Sequence, residues 1–163
     1  MRPGRRDRRT EIILVLDNIR SLYNVGSMFR TADGLGVSRI FLCGITGTPL
    51  QDRLRKVSLG AERTVAWEHA AQTWRVLEAL RRQGHRIIGL ERSAQSRPLP
   101  TVRPTFPLAL VVGNEVRGLS QAIRSRTDEV VHIPMYGSKE SFNVSVACGI
   151  ALYHFRYPAP LHR

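Results

Sequence analysis

Apolar residues along this chain fall into two patterns that alternate with one another. Short continuous runs, rich in β-branched residues, occupy residues 11–17, Arg39–Cys43, Arg86–Leu90, Leu108–Val112 and 130–133. Such runs predict strands, and the uninterrupted apolar character of Leu108–Val112 predicts a central strand buried on both faces. Residues 64–67 form a further candidate strand. Between the runs, apolar positions recur at helical spacing. Asn24 can cap a helix running to about Leu35, with Gly34 and Gly36 as its stop. A short helix is predicted over 52–60. The segment 70–83 places Trp74, Leu77 and Leu80 on one side and Arg75, Arg81 and Arg82 among its polar positions, and Gly84 ends it. Further helices are predicted over 119–125 and 143–157, the last with Val144, Ala147, Ile150, Ala151, Leu152 and Phe155 available for burial. Residues 44–51 and the proline-rich 93–107 read as loops. Strands alternating with helices give an α/β fold, a largely parallel sheet flanked by helices.

Three polar clusters sit where apolar runs end or begin: Asn24-Val-Gly-Ser-Met-Phe-Arg30, then Gly113-Asn-Glu-Val-Arg-Gly118-Leu-Ser, then Ile133-Pro-Met-Tyr-Gly137 followed by Ser141-Phe-Asn143-Val-Ser145. The ends of strands facing the starts of helices are where α/β sheets build ligand sites. A helical side chain leans toward the N-terminus, so Arg30 should lie over Gly26 and Ser27, near the free N–H groups that suit a phosphate. The plainer alternative is an exposed Arg30 paired with Asp33. Gly118 permits a positive φ or a close approach, or serves an ordinary turn with Ser120 as a cap. Pro134 and Gly137 take the chain out of the sheet with backbone groups free, and Ser141 or Asn143 can cap the last helix. A phosphate loop and a dinucleotide fingerprint are both missing; Gly34-Leu-Gly36 lies at the end of its helix. His132 and His154 read as packed or surface residues. No metal-ligand spacing and no Ser–His–Asp arrangement stands out.

Composition narrows the class. At 163 residues with 42% hydrophobic content, the chain fits a single domain over 11–163 behind a basic, flexible tail over 1–10. It has no apolar run of membrane-spanning length and no signal-peptide pattern, so a cytoplasmic protein is expected. Cys43 and Cys148 read as buried free thiols. The net charge of +12 favours polyanions, above all nucleic acid. Only Lys56 and Lys139 are lysine; guanidinium suits phosphate forks, although a GC-rich genome produces the same bias. The tail arginines Arg2, Arg5, Arg6, Arg8 and Arg9 are a nucleic-acid arm or a solvated end.

With its three clusters in this order the chain resembles the SpoU-like branch of the SPOUT RNA methyltransferases, the TrmH type, over about residues 11–157. That resemblance implies a C-terminal trefoil knot, a homodimer, S-adenosyl-L-methionine as cofactor without a metal, and methyl transfer to a ribose 2′-hydroxyl of tRNA or rRNA. It implies catalytic roles for Asn24, Arg30, Glu115, Ser141 and Asn143, and cofactor contacts at Leu90, Gly113, Ile133, Ser141 and Phe142. RNA capture would fall to Arg5, Arg6, Arg8, Arg9, Arg20 and Arg30. Family proposals make Arg30 a base; a guanidinium, with a pKa above about 12, is better suited to bind a phosphate and steady a developing alkoxide. Asn24 and Asn143 would orient Arg30 or the hydroxyl, and Glu115 would fix the loop or the partner arginine. The alternative is a non-catalytic RNA-binding protein on the same fold. A small-molecule methyltransferase suits the charge poorly.

Overall fold

The computed structural model describes residues 7–158. In chain order the elements are β1 Ile12–Asp17, α1 Leu22–Gly34, β2 Arg39–Cys43, α2 Asp52–Ser58, α3 Ala61–Thr64, β3 Ala66–Ala70, α4 Thr73–Arg82, β4 Arg86–Leu90, β5 Arg97–Pro98, β6 Leu108–Val112, α5 Gln121–Arg124, β7 Glu129–His132 and α6 Val144–Arg156, with 3-10 turns at Arg8–Thr10 and Leu99–Thr101. The strands form one sheet in the order β3-β2-β1-β6-β4-β7-β5, and each pair is parallel.

Alternation along each strand divides the core. Ile12, Leu14 and Leu16 of β1, with Leu108, Leu110 and Val112 of β6, pack under α1 and α6. Ile13, Val15, Ala109 and Val111 face the other way, onto Val76, Leu77 and Leu80 of α4 and Ile123 of α5. Helices on both faces explain why these strands are apolar throughout. The register is equally informative. Leu16 pairs with Val112, Val112 with Leu90, and Leu90 with Val131. Four adjacent strands therefore end level, and the segments that follow them leave from one edge. β7 lies between β4 and β5, and the chain then returns to α6, where Gly149 rests against Thr31 of α1. The last strand is thus interior to the sheet, between β4 and the two-residue edge strand β5.

Several boundaries differ from expectation. Ser21, not Asn24, caps α1: its hydroxyl accepts the Asn24 N–H at 3.3 Å. This leaves the buried Asn24 side chain free for other partners. The strand expected at 64–67 lies at Ala66–Ala70, because Gly60, at a φ of 93°, first opens the helical turn Ala61–Thr64. Ala70 thus belongs to β3, and α4 starts only at Thr73. The expected loop 93–107 contains β5, whose Pro98 is tolerated on an edge strand. Within the expected tail, Arg9 bonds Asp7 and the Arg8 guanidinium donates to the Gln83 carbonyl; Arg2, Arg5 and Arg6 lie outside the described residues. Both cysteines are buried and free, and burial pushes each thiol up to about 12. No helix among the described residues is long and apolar enough to cross a membrane.

Candidate active site

The second polar cluster is a tight loop after β6. Asn114 organises it: its Oδ1 accepts the N–H groups of Val116 and Arg117, each at 3.0 Å, and its Nδ2 donates to the Asn18 carbonyl at 2.8 Å. This is the side-chain mimicry of a turn at which Asn excels. The glycines close the loop. A Cβ on Gly113 would lie 2.5 Å from the Gly118 carbonyl carbon, and one on Gly118, at a φ of 63°, would collide with the Glu91 carboxylate. Glu91 in turn accepts the Leu119 N–H at 2.8 Å. Neither Asn114 nor Glu91 was singled out from the sequence. The Asn-x-x-x-Gly spacing within the second cluster carried the signal for the first; nothing local marks the second.

The loop aims Glu115 at the start of α1. The carboxylate accepts the Ser21 N–H at 2.9 Å, the Arg20 N–H at 3.0 Å and the Asn24 amide at 3.1 Å. Burial is the largest single influence on this carboxyl and opposes its ionisation. The N–H donors of Arg20, Ser21 and Asn24 together outweigh it and hold the pKa below the ordinary range. On its other side Asn24 accepts the Asn143 amide through Oδ1 at 3.2 Å. Asn143 caps α6, its Oδ1 taking the Ser145 N–H at 2.9 Å and hydroxyl at 2.6 Å. One run of hydrogen bonds, Asn143 to Asn24 to Glu115, thus joins all three clusters, at the edge where the level strand ends deliver them.

Beside this network a cleft of about 250 Å³ opens between the loops. Leu90, Gly113, Ile133, Ser141 and Phe142 all line it, together with Glu115, Glu91 and Met135. Arg92 closes one end by donating to the Glu140 carbonyl at 3.1 Å. Its lining is divided between apolar side chains such as Leu90, Ile133 and Met135 and charges of both signs, Arg92 against Glu91 and Glu115, a surface suited to a small zwitterion with a flat heterocycle. Ser141 is exposed on the rim, its hydroxyl unpartnered among the described residues.

Arg30 is placed differently from the expectation. It is exposed, lies outside the lining of the cleft, and has no partner among the described residues. Gly26 does not clear a path for it, since Gly26 faces α2, where a Cβ would stand 2.7 Å from the Val57 Cβ. The Asp33 pairing does not form either; Asp33 accepts the Thr64 hydroxyl at 2.6 Å. Arg20 contributes its backbone to the network and leaves its guanidinium exposed. His132 bonds Ser96 at 2.8 Å and His154 meets the Val102 carbonyl at 2.8 Å. Among the described residues no three His, Cys, Asp or Glu side chains gather as a metal set.

The chain matches the model described as the SpoU rRNA Methylase family over residues 11–153. It is 34% identical over 142 residues to the 23S rRNA (guanosine-2′-O-)-methyltransferase RlmB of Vibrio cholerae, covering 87% of this chain and 57% of that protein. The enzyme of the same name from Nitrosomonas europaea is 37% identical over 142 residues, covering 87% and 54%. The chain therefore spans little more than half the length of these curated relatives. Among solved structures, a TrmH/SpoU tRNA modifying enzyme from A. aeolicus superimposes with a TM-score of 0.83 at 32% identity, over 91% of this chain and 75% of that one. An AdoMet-bound rRNA methyltransferase from Sinorhizobium meliloti gives 0.82 at 28%, over 88% and 54%.

Proposed function

The chain belongs to the SpoU rRNA methylase family, and from that premise we propose that it transfers a methyl group from S-adenosyl-L-methionine to a ribose 2′-hydroxyl of structured RNA. The observation that carries this reading is the hydrogen-bonded union of Asn143, Asn24 and Glu115 beside a cleft that gathers Leu90, Gly113, Ile133, Ser141 and Phe142. Bound there, S-adenosylmethionine supplies an electrophilic methyl on a sulfonium centre, chemistry that requires no metal. Apolar Leu90, Ile133 and Phe142 would hold its heterocycle, and Arg92 and Glu140 would hold its charged groups.

The chain's own contribution is placement. Holding a hydroxyl in line with the methyl supplies about 7–11 kcal/mol of the barrier. Glu115 engages both of its oxygens with the start of α1 and with Asn24, and Asn24 engages both ends of its amide, so they act as positioning residues. Asn143 fixes the start of α6 next to the rim. Arg30, free and cationic, binds the RNA phosphate beside the target ribose and steadies the oxygen as it loses its proton. Ser141 offers its hydroxyl to the same ribose. Arg20 tracks the RNA backbone next to the loop. Relatives include enzymes named for 23S rRNA and for tRNA, and the +12 charge suits either.

The working form is a cytoplasmic homodimer. Exposed Phe142, Val146, Ile150, Tyr153 and Tyr157 recur along one side of α6 and its approach, a stripe at helical spacing that a second copy would cover. The test of the enzymatic reading is Arg30→Ala. Methyl transfer to total RNA from a strain lacking the gene should be abolished, while calorimetric affinity for S-adenosylmethionine stays within a few-fold. Lost cofactor affinity with intact turnover at saturation would reject the assignment, and a wild-type protein that takes up no S-adenosylmethionine would leave a non-catalytic RNA binder.

A further inference from the structure

A second cavity, of about 780 Å³, opens on the α4 and α5 face of the same sheet edge. Asn114, Val116 and Gly118 line both it and the cleft, so only the thickness of the 113–118 loop separates the two. None of the catalytic or cofactor positions explains it. At its floor is Asp17, the last residue of β1, 4% exposed. Asp17 Oδ1 accepts the Thr73 hydroxyl and, at 3.1 Å, the Asn18 amide. Oδ2 has no hydrogen-bond partner among the described residues, and it is not sealed in the core. A carboxylate that is 96% buried by the same measure, with one whole oxygen turned to a cavity, needs a donor there. Trp74 forms an aromatic wall, with the guanidinium groups of Arg75 and Arg126 lying 5.2 and 5.7 Å from its ring centroid. Arg20 and Arg117 stand at the rim with no ion pair among the described residues.

An acceptor at depth, a flat aromatic wall and a cationic rim are the parts of a nucleobase pocket. We propose that this cavity holds an unpaired, amino-bearing base of the RNA substrate, guanine above all, one loop away from the ribose that is methylated. This rests on the RNA methyltransferase reading and names a contact by which that site would choose its RNA. Guanine sets two N–H donors side by side, which one carboxylate oxygen with both lone pairs free accepts together. Adenine and cytosine offer an amino group. Uracil is disfavoured because its single N–H is flanked by two carbonyl oxygens that the carboxylate repels. Burial, stronger than the Thr73 and Asn18 bonds, raises the Asp17 carboxyl above its ordinary value, so a donor at Oδ2 relieves an unfavourable charge.

The test titrates the full chain, saturated with S-adenosylmethionine, with guanosine 5′-monophosphate and uridine 5′-monophosphate while following tryptophan emission. Wild type should be quenched by the guanine nucleotide at concentrations at least about tenfold lower than by the uracil nucleotide, and Trp74→Phe should abolish the quenching. Asp17→Asn keeps an acceptor for Thr73 and replaces the free oxygen by a donor, so it should bring the two nucleotides within about twofold of each other. Equal affinities in wild type, a preference unchanged in Asp17→Asn, or quenching that survives in Trp74→Phe would overturn the proposal. Should Asp17→Asn not fold, the Trp74→Phe comparison decides alone. Calorimetry with S-adenosylmethionine on cofactor-free portions of the same proteins separates the two readings: absent cofactor binding defeats the methyltransferase assignment, whereas normal cofactor binding without a guanine preference defeats only the base pocket.

Discussion

Glu115→Gln isolates what holds the site together. The carboxylate accepts three N–H groups, from Arg20 at 3.0 Å, Ser21 at 2.9 Å and Asn24 at 3.1 Å. Ser21 and Asn24 share Oε1, so a glutamine carbonyl placed there keeps both of those bonds, without the charge. The glutamine NH₂ then faces the Arg20 N–H, donor against donor. One charge-assisted bond is lost, which costs about 1.5–3 kcal/mol in general. Removing a negative charge from the start of α1 adds about 0.3–1 kcal/mol. Residue 115 is exposed on its outer side, so water recovers part of both, and the net expectation is about 2 kcal/mol. For a chain of this size that is a fall in Tm of about 4–8 °C. Folding lowers this carboxyl's pKa, so its stabilisation is complete above the ordinary carboxylate range and disappears as pH falls through the lowered value. Calorimetric melts should therefore show a constant gap between wild type and Glu115→Gln from about pH 8 to about pH 6, closing only in acid. A gap under about 1 °C at neutral pH, or one that widens on acidification, would refute the account.

Asn24→Asp sets a second carboxylate where the amide lay 3.1 Å from Glu115 Oε1; it should cost about 2–4 kcal/mol in denaturant melts at pH 7, and more than Asn24→Ala. Gly26→Ala drives a Cβ to within 2.7 Å of the Val57 Cβ and 2.9 Å of the Leu54 carbonyl, a loss of about 1–3 kcal/mol, whereas Gly34→Ala meets nothing within 4 Å and should be neutral or gain up to about 1 kcal/mol. Equal effects of the two substitutions would show that Gly26 is not a packing position. Ile150→Asp, in the exposed stripe of α6, should convert a dimer to monomer in sedimentation with Tm measured at matched concentration; an unchanged sedimentation coefficient would remove α6 from the interface.

The strands and long helices were legible because burial on both faces of a sheet makes each strand continuously apolar, as in Leu108–Val112. The cleft residues were legible only as a resemblance, and their convergence depends on register. What stayed hidden was mostly competition among capping groups. Ser21 and Asn24 are both good caps by type, and nothing local says that Ser21 wins because Asn24 has partners 91 and 119 residues away. Gly26 looked like clearance for Arg30, yet it admits α2, an element whose approach no periodicity in α1 announces. The Ala61–Thr64 turn was missed for a related reason: Gly60 at positive φ restarts a helix where composition suggests a strand. The second cavity left no signature, since Asp17 reads simply as the polar end of a strand.

Which groups can meet a substrate follows from which already have partners. In Glu115 both oxygens are engaged, in Asn24 both ends of the amide, and Asn143 divides its own between α6 and Asn24. Asn24 is buried while Glu115 and Asn143 reach the surface, so a member can turn to a ligand only by giving up a bond to its neighbour in the network. Among the described residues, the groups left over around it include the Arg30 and Arg20 guanidinium groups, the Ser141 hydroxyl and Asp17 Oδ2, with the Arg117 guanidinium beside Arg20. They surround the network on both sides of the 113–118 loop: Ser141 beside the cleft, Arg20 and Asp17 beside the second cavity, Arg30 on the outer face of α1. The division makes the two sets separable. Substitutions within the network should lower Tm and cofactor affinity together, because they loosen the loop that walls the cleft. Substitutions at Arg30 and Ser141 should leave both in place and act on turnover, because those side chains support nothing else in the fold.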